Sequence, residues 1–265
     1  MIKLVGVDVD GTLVGRNLEI SPRTQAAVKA ARARGVRFAI VTGRMFQSAV
    51  PYARTLGLED MPLVAYNGAM VTEYPSGREI FHKGVEPEMG RKVAAFCEER
   101  GYYVQAYVGD KLYVERMHPL TEAYIATARV EAHAVGPLSR WLNAPATKML
   151  IIHEPAVIRT IEAEVRARFG NAVDAMTSVP EFLEVISRGV SKGEGLQRVA
   201  EALGVRQEEV MAIGDGMNDL SMISWAGTSF AVAHAPQELK RAATYVTEAG
   251  PESAVAEALA RVGLA

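Results

Sequence analysis

Val5-Gly6-Val7-Asp8-Val9-Asp10-Gly11-Thr12-Leu13 is the stretch on which the fold turns. Ile2, Leu4, Val5, Val7 and Val9 form a short apolar, β-branched run closed by a glycine, the pattern of a strand in a parallel sheet covered on both faces. Strand side chains alternate with period two, so Asp8 and Asp10 are expected to point the same way, roughly 7 Å apart along the strand. Ionised aspartates are seldom buried without partners, so two at a strand end call for a cation, a shared proton or open water. A bare Asp-x-Asp-Gly is equally read as a solvated strand end and a turn. A calcium loop is a poorer match: Glu19 has the right offset, but Leu13 stands where the EF-hand turn needs glycine.

Working outward, Ser21-Pro22 is a helix start, with serine as N-cap and proline at the first helical position. Ala26, Ala27, Ala30 and Ala31 carry the helix to Gly35. Val36–Val41 is a second strand, which ends at Thr42-Gly43-Arg44 before a helical segment through Leu56. Strand-helix-strand-helix is a βαβ pattern, with right-handed crossovers and ligands at the carboxyl ends of strands. Thr42 is thereby expected at the same edge as Asp8. Pro62–Tyr66 is a third strand, and Asn67-Gly68 a turn or hairpin signal, with Asn67 either a turn residue or a substrate contact.

From about Gly84 to about Arg188 the pattern changes to strands in hairpins with helices between them: a helix near 89–100, paired strands at 102–108 and 111–115, a strand at 148–152, a helix at 155–169, and two strands at 173–178 and 182–187. Val190-Ser191-Lys192-Gly193 then opens a helix capped by Ser191, and Glu209–Ile213 is a buried strand ending in Gly214-Asp215-Gly216-Met217-Asn218-Asp219. Helix, strand, helix, strand and helix complete the chain. The expected fold class is α/β: a Rossmann-like parallel-sheet core made of residues 1–83 and 189–265, with an inserted α+β cap at 84–188.

The 265 residues are 49% hydrophobic and 23% charged, ordinary for a globular chain, with net charge −2. No global field favours nucleic acid, and Arg23, Lys29, Arg32, Arg34 and Arg37 read as the solvated side of one helix. The single Cys97 lies among Val93, Ala94 and Phe96, where a buried thiol is the plainer reading than a nucleophile. No secretory leader is apparent, since Asp8 interrupts the first apolar run, and the uncharged stretch 220–237 is too rich in polar residues to span a membrane. The expectation is a soluble cytoplasmic protein, a monomer or small homo-oligomer, with neither a nucleic-acid nor a membrane partner.

Polar groups thus come to one edge from four places: Asp8 and Asp10, Thr42, Lys192, and the loop from Asp215 to Asp219. Singly, the threonine is a helix cap, the lysine solvated and Gly-Asp-Gly a turn. Together they are hard to ascribe to accident. Two like charges about 4 Å apart repel by about 4 kcal/mol at an effective dielectric near 20, so gathering Asp8, Asp10, Asp215 and Asp219 requires positive charge. Oxygen ligands without histidine or cysteine indicate a hard ion, Mg2+, which binds one or two carboxylates together with substrate phosphate. With Lys192 as a point charge and Thr42 beside backbone N–H groups, the inventory fits phosphoryl transfer. It fits glycoside hydrolysis poorly, because the lysine and the metal would have no use there.

Asp8-Val9-Asp10-Gly11-Thr12, Thr42-Gly43-Arg44, Lys192 and Gly214–Asp219 resemble the four ordered motifs of the haloacid dehalogenase superfamily. The insert between Asn67-Gly68-Ala69 and Gly189–Gly193 resembles that of Cof-type phosphatases with a type-two cap. The resemblance implies that Asp8 is the nucleophile forming an aspartyl-phosphate and Asp10 the acid and base. It implies Mg2+ held by the Asp8 side chain, the Asp10 backbone carbonyl and Asp215, with Asp219 supporting the metal shell. Thr42, Gly43, Lys192 and Asn218 would hold the phosphoryl group, and Arg44 and Asn67 would face substrate. The implied substrate is a small phosphorylated metabolite, a sugar phosphate foremost. A phosphosugar mutase and a non-catalytic phospholigand-binding protein are the alternatives, the second disfavoured by the intact Asp8 and Asp10. Tyr113, His118, Lys148 and Glu184 are the cap side chains open to a specificity role, each with a structural reading beside it. One departure is visible. Val232-Ala233-His234-Ala235-Pro236 stands where many relatives carry Met-Gly-Asn-Ala-Pro, which leaves His234 a substrate contact or a surface-loop residue.

Overall fold

The computed structural model of the chain describes residues 1–59 and 61–265. These fall into two compact units, Met1–Phe81 with Ser191–Ala265, and His82–Val190. The first segment carries β1 (Leu4–Val7), α1 (Pro22–Ala33), β2 (Arg37–Ile40), α2 (Phe46–Thr55), β3 (Met61–Ala65), β4 (Met70–Tyr74) and β5 (Glu79–His82). The inserted segment carries α3 (Pro87–Arg100), β6 (Tyr103–Val108), β7 (Lys111–Val114), α4 (Pro119–Ala128), β8 (Ala132–Ala134), α5 (Leu138–Trp141), β9 (Lys148–Ile152), α6 (Pro155–Phe169), β10 (Val173–Val179) and β11 (Phe182–Ser187). The chain then returns with α7 (Lys192–Ala202), β12 (Val210–Gly214), α8 (Leu220–Trp225), β13 (Thr228–Ala231), α9 (Gln237–Ala242), β14 (Tyr245–Val246) and α10 (Ala254–Arg261). The α/β class, with a parallel-sheet core and an α+β insertion, is as the sequence pattern leads one to expect.

Five strands form a parallel sheet in the order β14-β13-β12-β1-β2. In β1, Val7 is level with Ile213 of β12 on one side and Ile40 of β2 on the other. The three carboxyl ends therefore finish at one edge, where Asp8, Gly214-Asp215 and Val41-Thr42 follow. The sheet is covered on both faces because successive side chains alternate. Val5, Val7, Phe38, Ile40, Met211 and Ile213 share one apolar cluster with α1 and α10, while Leu4, Ala39, Val41 and Ala212 join Leu196 and Val199 of α7 in another. α1 starts as the sequence indicates: the Ser21 hydroxyl accepts the Thr24 N–H at 3.2 Å, and Pro22 occupies the first turn.

β3 is not a full member of the parallel sheet. It heads an antiparallel sheet, β3-β4-β5, joined to β2 through the Val41–Val64 bridge. β3 and β4 pair from Met61↔Tyr74 to Ala65↔Met70, so Tyr66–Ala69 closes a hairpin. α7 comes close against this hairpin. A Cβ on Gly195 would lie 2.4 Å from Val64 Cγ1, so only glycine lets the first turn of α7, with Lys192 on it, approach this far.

The inserted unit is a six-stranded sheet in the order β10-β11-β9-β6-β7-β8, antiparallel except for β7 with β8. One face, with Val104, Ala106, Met149, Ile151, Leu183 and Val185, packs on apolar residues of α3 and α6. Cys97 is buried there, and burial pushes its thiol up, which makes it an inert packing residue. The other face carries Tyr103, Gln105, Tyr107, Lys148 and Glu184. Gln105 donates to the Tyr107 hydroxyl at 2.7 Å, and Lys148 lies 3.4 Å from Glu184 and over the Tyr107 ring. Tyr113 packs on Trp141 with ring centroids 4.3 Å apart, and His118 caps α4 by accepting the Leu120 N–H. Among the described residues no helix is long and apolar enough to cross a membrane.

Candidate active site

Asp8 is the first residue after β1, and its carboxylate is buried. Lys192, the first residue of α7, is 1% exposed, and its Nζ donates to Asp8 Oδ1 at 2.6 Å and to Asp219 Oδ1 at 2.5 Å. The other oxygen of Asp219 accepts the backbone N–H groups of Asp215 and Gly216, each at 2.9 Å. Asp219 thus folds back on the loop after β12 and fixes the start of the segment that bears Asp215. Asp215 accepts from the Thr12 hydroxyl at 3.0 Å on Oδ1 and contacts His234 Nε2 at 3.0 Å on Oδ2. Gly11 makes this closeness possible. Its φ is +82°, and a Cβ there would lie 2.2 Å from Asp215 Oδ2.

Asp8, Asp215 and Asp219 each offer an oxygen within 4.8 Å of the others. Burial pushes the Asp8 carboxyl well above its ordinary value; the Lys192 ammonium opposes this, and Asp219 and Asp215 add to it. Burial and Asp219 likewise raise Asp215, against the pull of His234 and Thr12. For Lys192, burial disfavours the charge, but Asp219 and Asp8 outweigh it and hold the ammonium above its ordinary range. Asp8 and Asp219 share one buried ammonium and Asp215 stands beside them, so three carboxylates gather around a single ammonium in a poorly solvated place. An all-oxygen donor set with that charge fits a hard divalent cation.

The Asp10 side chain is not part of this cluster. β1 ends at Val7, so the period-two argument no longer holds by Asp10. Its exposed carboxylate turns to Arg44, whose Nε and Nη2 donate to it at 2.7 and 2.5 Å. The expectation that Asp8 and Asp10 deliver their carboxylates to one spot is corrected accordingly, and Arg44 meets Asp10 through this two-point contact. Thr42 is buried, and its hydroxyl accepts the Arg44 N–H at 3.1 Å. Its carbonyl accepts the Asn67 N–H at 3.0 Å. Asn67, with φ +56°, accepts through Oδ1 from Asn218 Nδ2 at 3.1 Å, and its side chain lies against Gly43. This links the Thr42, Asn67 and Asp215–Asp219 loops side by side.

Two contacts were not foreseen. Thr12 stands inside the first motif, where its hydroxyl was given no task. His234 is an exposed residue of the loop after β13, as one of its two readings has it, yet it lies on Asp215: β13 runs in register with β12, Gly214 beside Ala231, so the loop leaving β13 passes Asp215. Nothing in the local sequence announces that contact, which depends on the register of two strands.

The family described as haloacid dehalogenase-like hydrolase matches residues 5–259. The Bacillus subtilis protein YxeH, provisionally named a phosphatase, is 29% identical, with all of both chains covered. A haloacid dehalogenase-like hydrolase from Bacteroides thetaiotaomicron superposes with a TM-score of 0.90 at 28% identity, over 99% of this chain and 100% of that one. The HAD subclass IIB sugar phosphatase BT4131 gives 0.86 at 25% identity, over 99% and 100%. The chain belongs to the haloacid dehalogenase-like hydrolase family and is an enzyme of its Cof-type phosphatase branch.

Proposed function

We propose that this enzyme hydrolyses phosphoric monoesters of small metabolites, sugar phosphates foremost, in a Mg2+-dependent reaction through an aspartyl-phosphate on Asp8. The observation that carries the reading is the convergence of the buried Asp8 carboxylate, Lys192 and the carboxylates of Asp215 and Asp219 at one sheet edge. The likeness to a sugar phosphatase supports the substrate class.

Mg2+, held by the Asp8 side chain, the Asp10 carbonyl and Asp215 with Asp219 behind them, would supply the positive charge that lets a phosphate dianion approach these carboxylates. Lys192 holds one oxygen of Asp8 and keeps the carboxylate oriented. The Asp8 carboxylate attacks phosphorus, and the bond from phosphorus to the departing oxygen breaks. Asp10, turned from Arg44 toward the departing oxygen and entering the step in its acid form, gives that oxygen a proton, then takes one from the water that attacks the aspartyl-phosphate; the bond between phosphorus and Asp8 breaks and phosphate leaves. Thr42, Gly43, Lys192 and Asn218 bind the phosphoryl oxygens, while Arg44 and Asn67 face the rest of the substrate. The inserted segment 84–188 is assigned the choice among substrates.

The test is phosphate release over a panel of phosphorylated sugars, nucleotides and cofactors, with Mg2+ and then with excess chelator, in the parent and in Asp8→Asn. Release should require Mg2+, be lost in Asp8→Asn and be strongest with sugar phosphates. Full activity in excess chelator, or near-normal turnover by Asp8→Asn, overturns the mechanism; transfer of the phosphoryl group to a second hydroxyl in place of water would make the enzyme a mutase.

A further inference from the structure

We propose that His234 is a positioning residue for the metal site, holding Asp215 in its ligating orientation by donating from Nε2 to one carboxylate oxygen. The inference rests on the reading of Asp8, Asp215 and Asp219 as a divalent-cation site, and it concerns a side chain to which the mechanism above gives no task.

An aspartate that binds a cation must present a chosen oxygen in a chosen plane, yet its terminal torsion is broad and roughly two-fold. In Asp215 both oxygens are engaged by donors from different parts of the chain, Oδ1 by Thr12 and Oδ2 by His234, each at 3.0 Å. Two donors on two oxygens fix the plane. Each oxygen keeps a further lone pair for a cation, since an ionised carboxylate offers about four acceptor positions. The contact is not forced by packing. The His234 side chain is 48% exposed and could turn to water, so packing alone does not hold it on Asp215.

Its backbone, by contrast, is held firmly beside the site. The Val232 N–H donates to Gly214 O at 3.0 Å, the Ala233 N–H to the Thr247 hydroxyl at 3.1 Å, and the Ala235 N–H to Val232 O at 2.9 Å. The loop after β13 is thereby tied to the end of β12, one residue before Asp215. A donor that bonds the outer side of a metal ligand orients it before the cation arrives, and such partners typically contribute about 10- to 100-fold to metal affinity. Thr12 alone would leave Asp215 hinged about a single hydrogen bond.

The experiment measures Mg2+ binding by calorimetry, without substrate, in the parent, Asp215→Asn, His234→Ala and His234→Gln. Glutamine carries an N–H donor at about the reach of Nε2, whereas alanine carries none. The parent should bind Mg2+ and Asp215→Asn should not, which tests the metal reading by itself. His234→Ala should bind about 10- to 100-fold more weakly, and His234→Gln should recover most of that loss, with unchanged thermal unfolding of the metal-free proteins showing that the fold is intact. Given binding by the parent and its loss in Asp215→Asn, an affinity of His234→Ala within twofold of the parent overturns this inference alone. Equal weakening by alanine and glutamine overturns the donor role. Absence of Mg2+ binding in the parent overturns the metal reading and this inference with it.

Discussion

Replacing Lys192 by Met removes the only ammonium that touches Asp8 and Asp219 among the described residues, while nearly preserving side-chain volume. Its Nζ lies 2.6 Å from Asp8 and 2.5 Å from Asp219 in a position 1% exposed. At an effective dielectric near 20, each contact represents about 6 kcal/mol of gross attraction, against a desolvation cost of several kcal/mol for the buried ammonium. Breaking a buried pair by removing one partner costs about 3–5 kcal/mol. Protonation caps the loss, because an ordinary aspartate can be neutralised at pH 7 for about 4 kcal/mol, and Asp8 for less since burial already raises it. The expected loss in metal-free protein at pH 7 is therefore about 3 kcal/mol, or about 6–12 °C in midpoint at about 2–4 °C per kcal/mol. Lys192 opposes the rise of the Asp8 carboxyl, so in the variant that carboxyl stands higher than in the parent, and this difference sets the sign of the deficit with pH. A group whose folded pKa lies above its unfolded value takes up its proton first in the folded state, so the variant regains stability as pH falls from 7 toward the ordinary aspartate range. The deficit should shrink by up to about 1.4 kcal/mol per pH unit. Trp141 lies in the inserted unit and Trp225 in the unit that holds Lys192, so urea unfolding read by fluorescence in a Trp141→Phe background reports the relevant transition. A deficit below about 1 kcal/mol at pH 7, or one that grows on acidification, would refute the claim that these carboxylates depend on Lys192 for their charge balance.

Asp10→Asn should slow formation of the aspartyl-phosphate from a sugar phosphate by about 10²- to 10⁴-fold, and much less from an aryl phosphate whose leaving group needs no proton; single-turnover rates decide it, and equal slowing removes Asp10 from the acid role. Asn67→Ala forces a left-handed backbone on alanine and deletes the bond from Asn218, for a cost of about 2 kcal/mol, whereas Asn67→Gly relieves the backbone part and should cost about half as much. Urea midpoints rank the two, and a glycine variant no better than alanine contradicts the backbone argument. Ser21→Ala removes the cap of α1 and should cost about 1 kcal/mol at unchanged activity; a midpoint equal to the parent's would mean the cap is dispensable.

Much of the fold was legible because local signals were strong. Ser21-Pro22 marks a start that the structure retains, the run Lys148–Ile152 and the helix Pro155–Phe169 keep the bounds read from pattern, and the five elements after β12 follow in the expected order. β8, with three residues, and α4, with its mixed face, carry too little periodicity to be read. In the site, the residue types were legible and their directions were not. Asp10 turns to Arg44 because the strand stops at Val7, and strand stops are set by neighbouring strands. The His234 contact requires β12 and β13 to lie in register, which no local pattern encodes. The Asn67-Gly68 signal after the third strand was legible too, since β3 pairs antiparallel with β4 across that turn.

The place of β1 in the parallel sheet has a bearing on how the protein is made. One neighbour, β2, emerges from the ribosome soon after it, but the other, β12, follows only after the whole inserted segment. Until then one side of β1 has no partner strand, while the intervening stretch, continuous in sequence, can fold as each part emerges. Pairing across about two hundred residues is entropically slow, so it is the step expected to limit maturation. Asp8 therefore waits, at the far end of the nascent chain, for Lys192 and Asp219. A nascent chain halted before β12 would carry Asp8 without the aspartate that shares its lysine, and it would present the unpaired edge of β1 to chaperones.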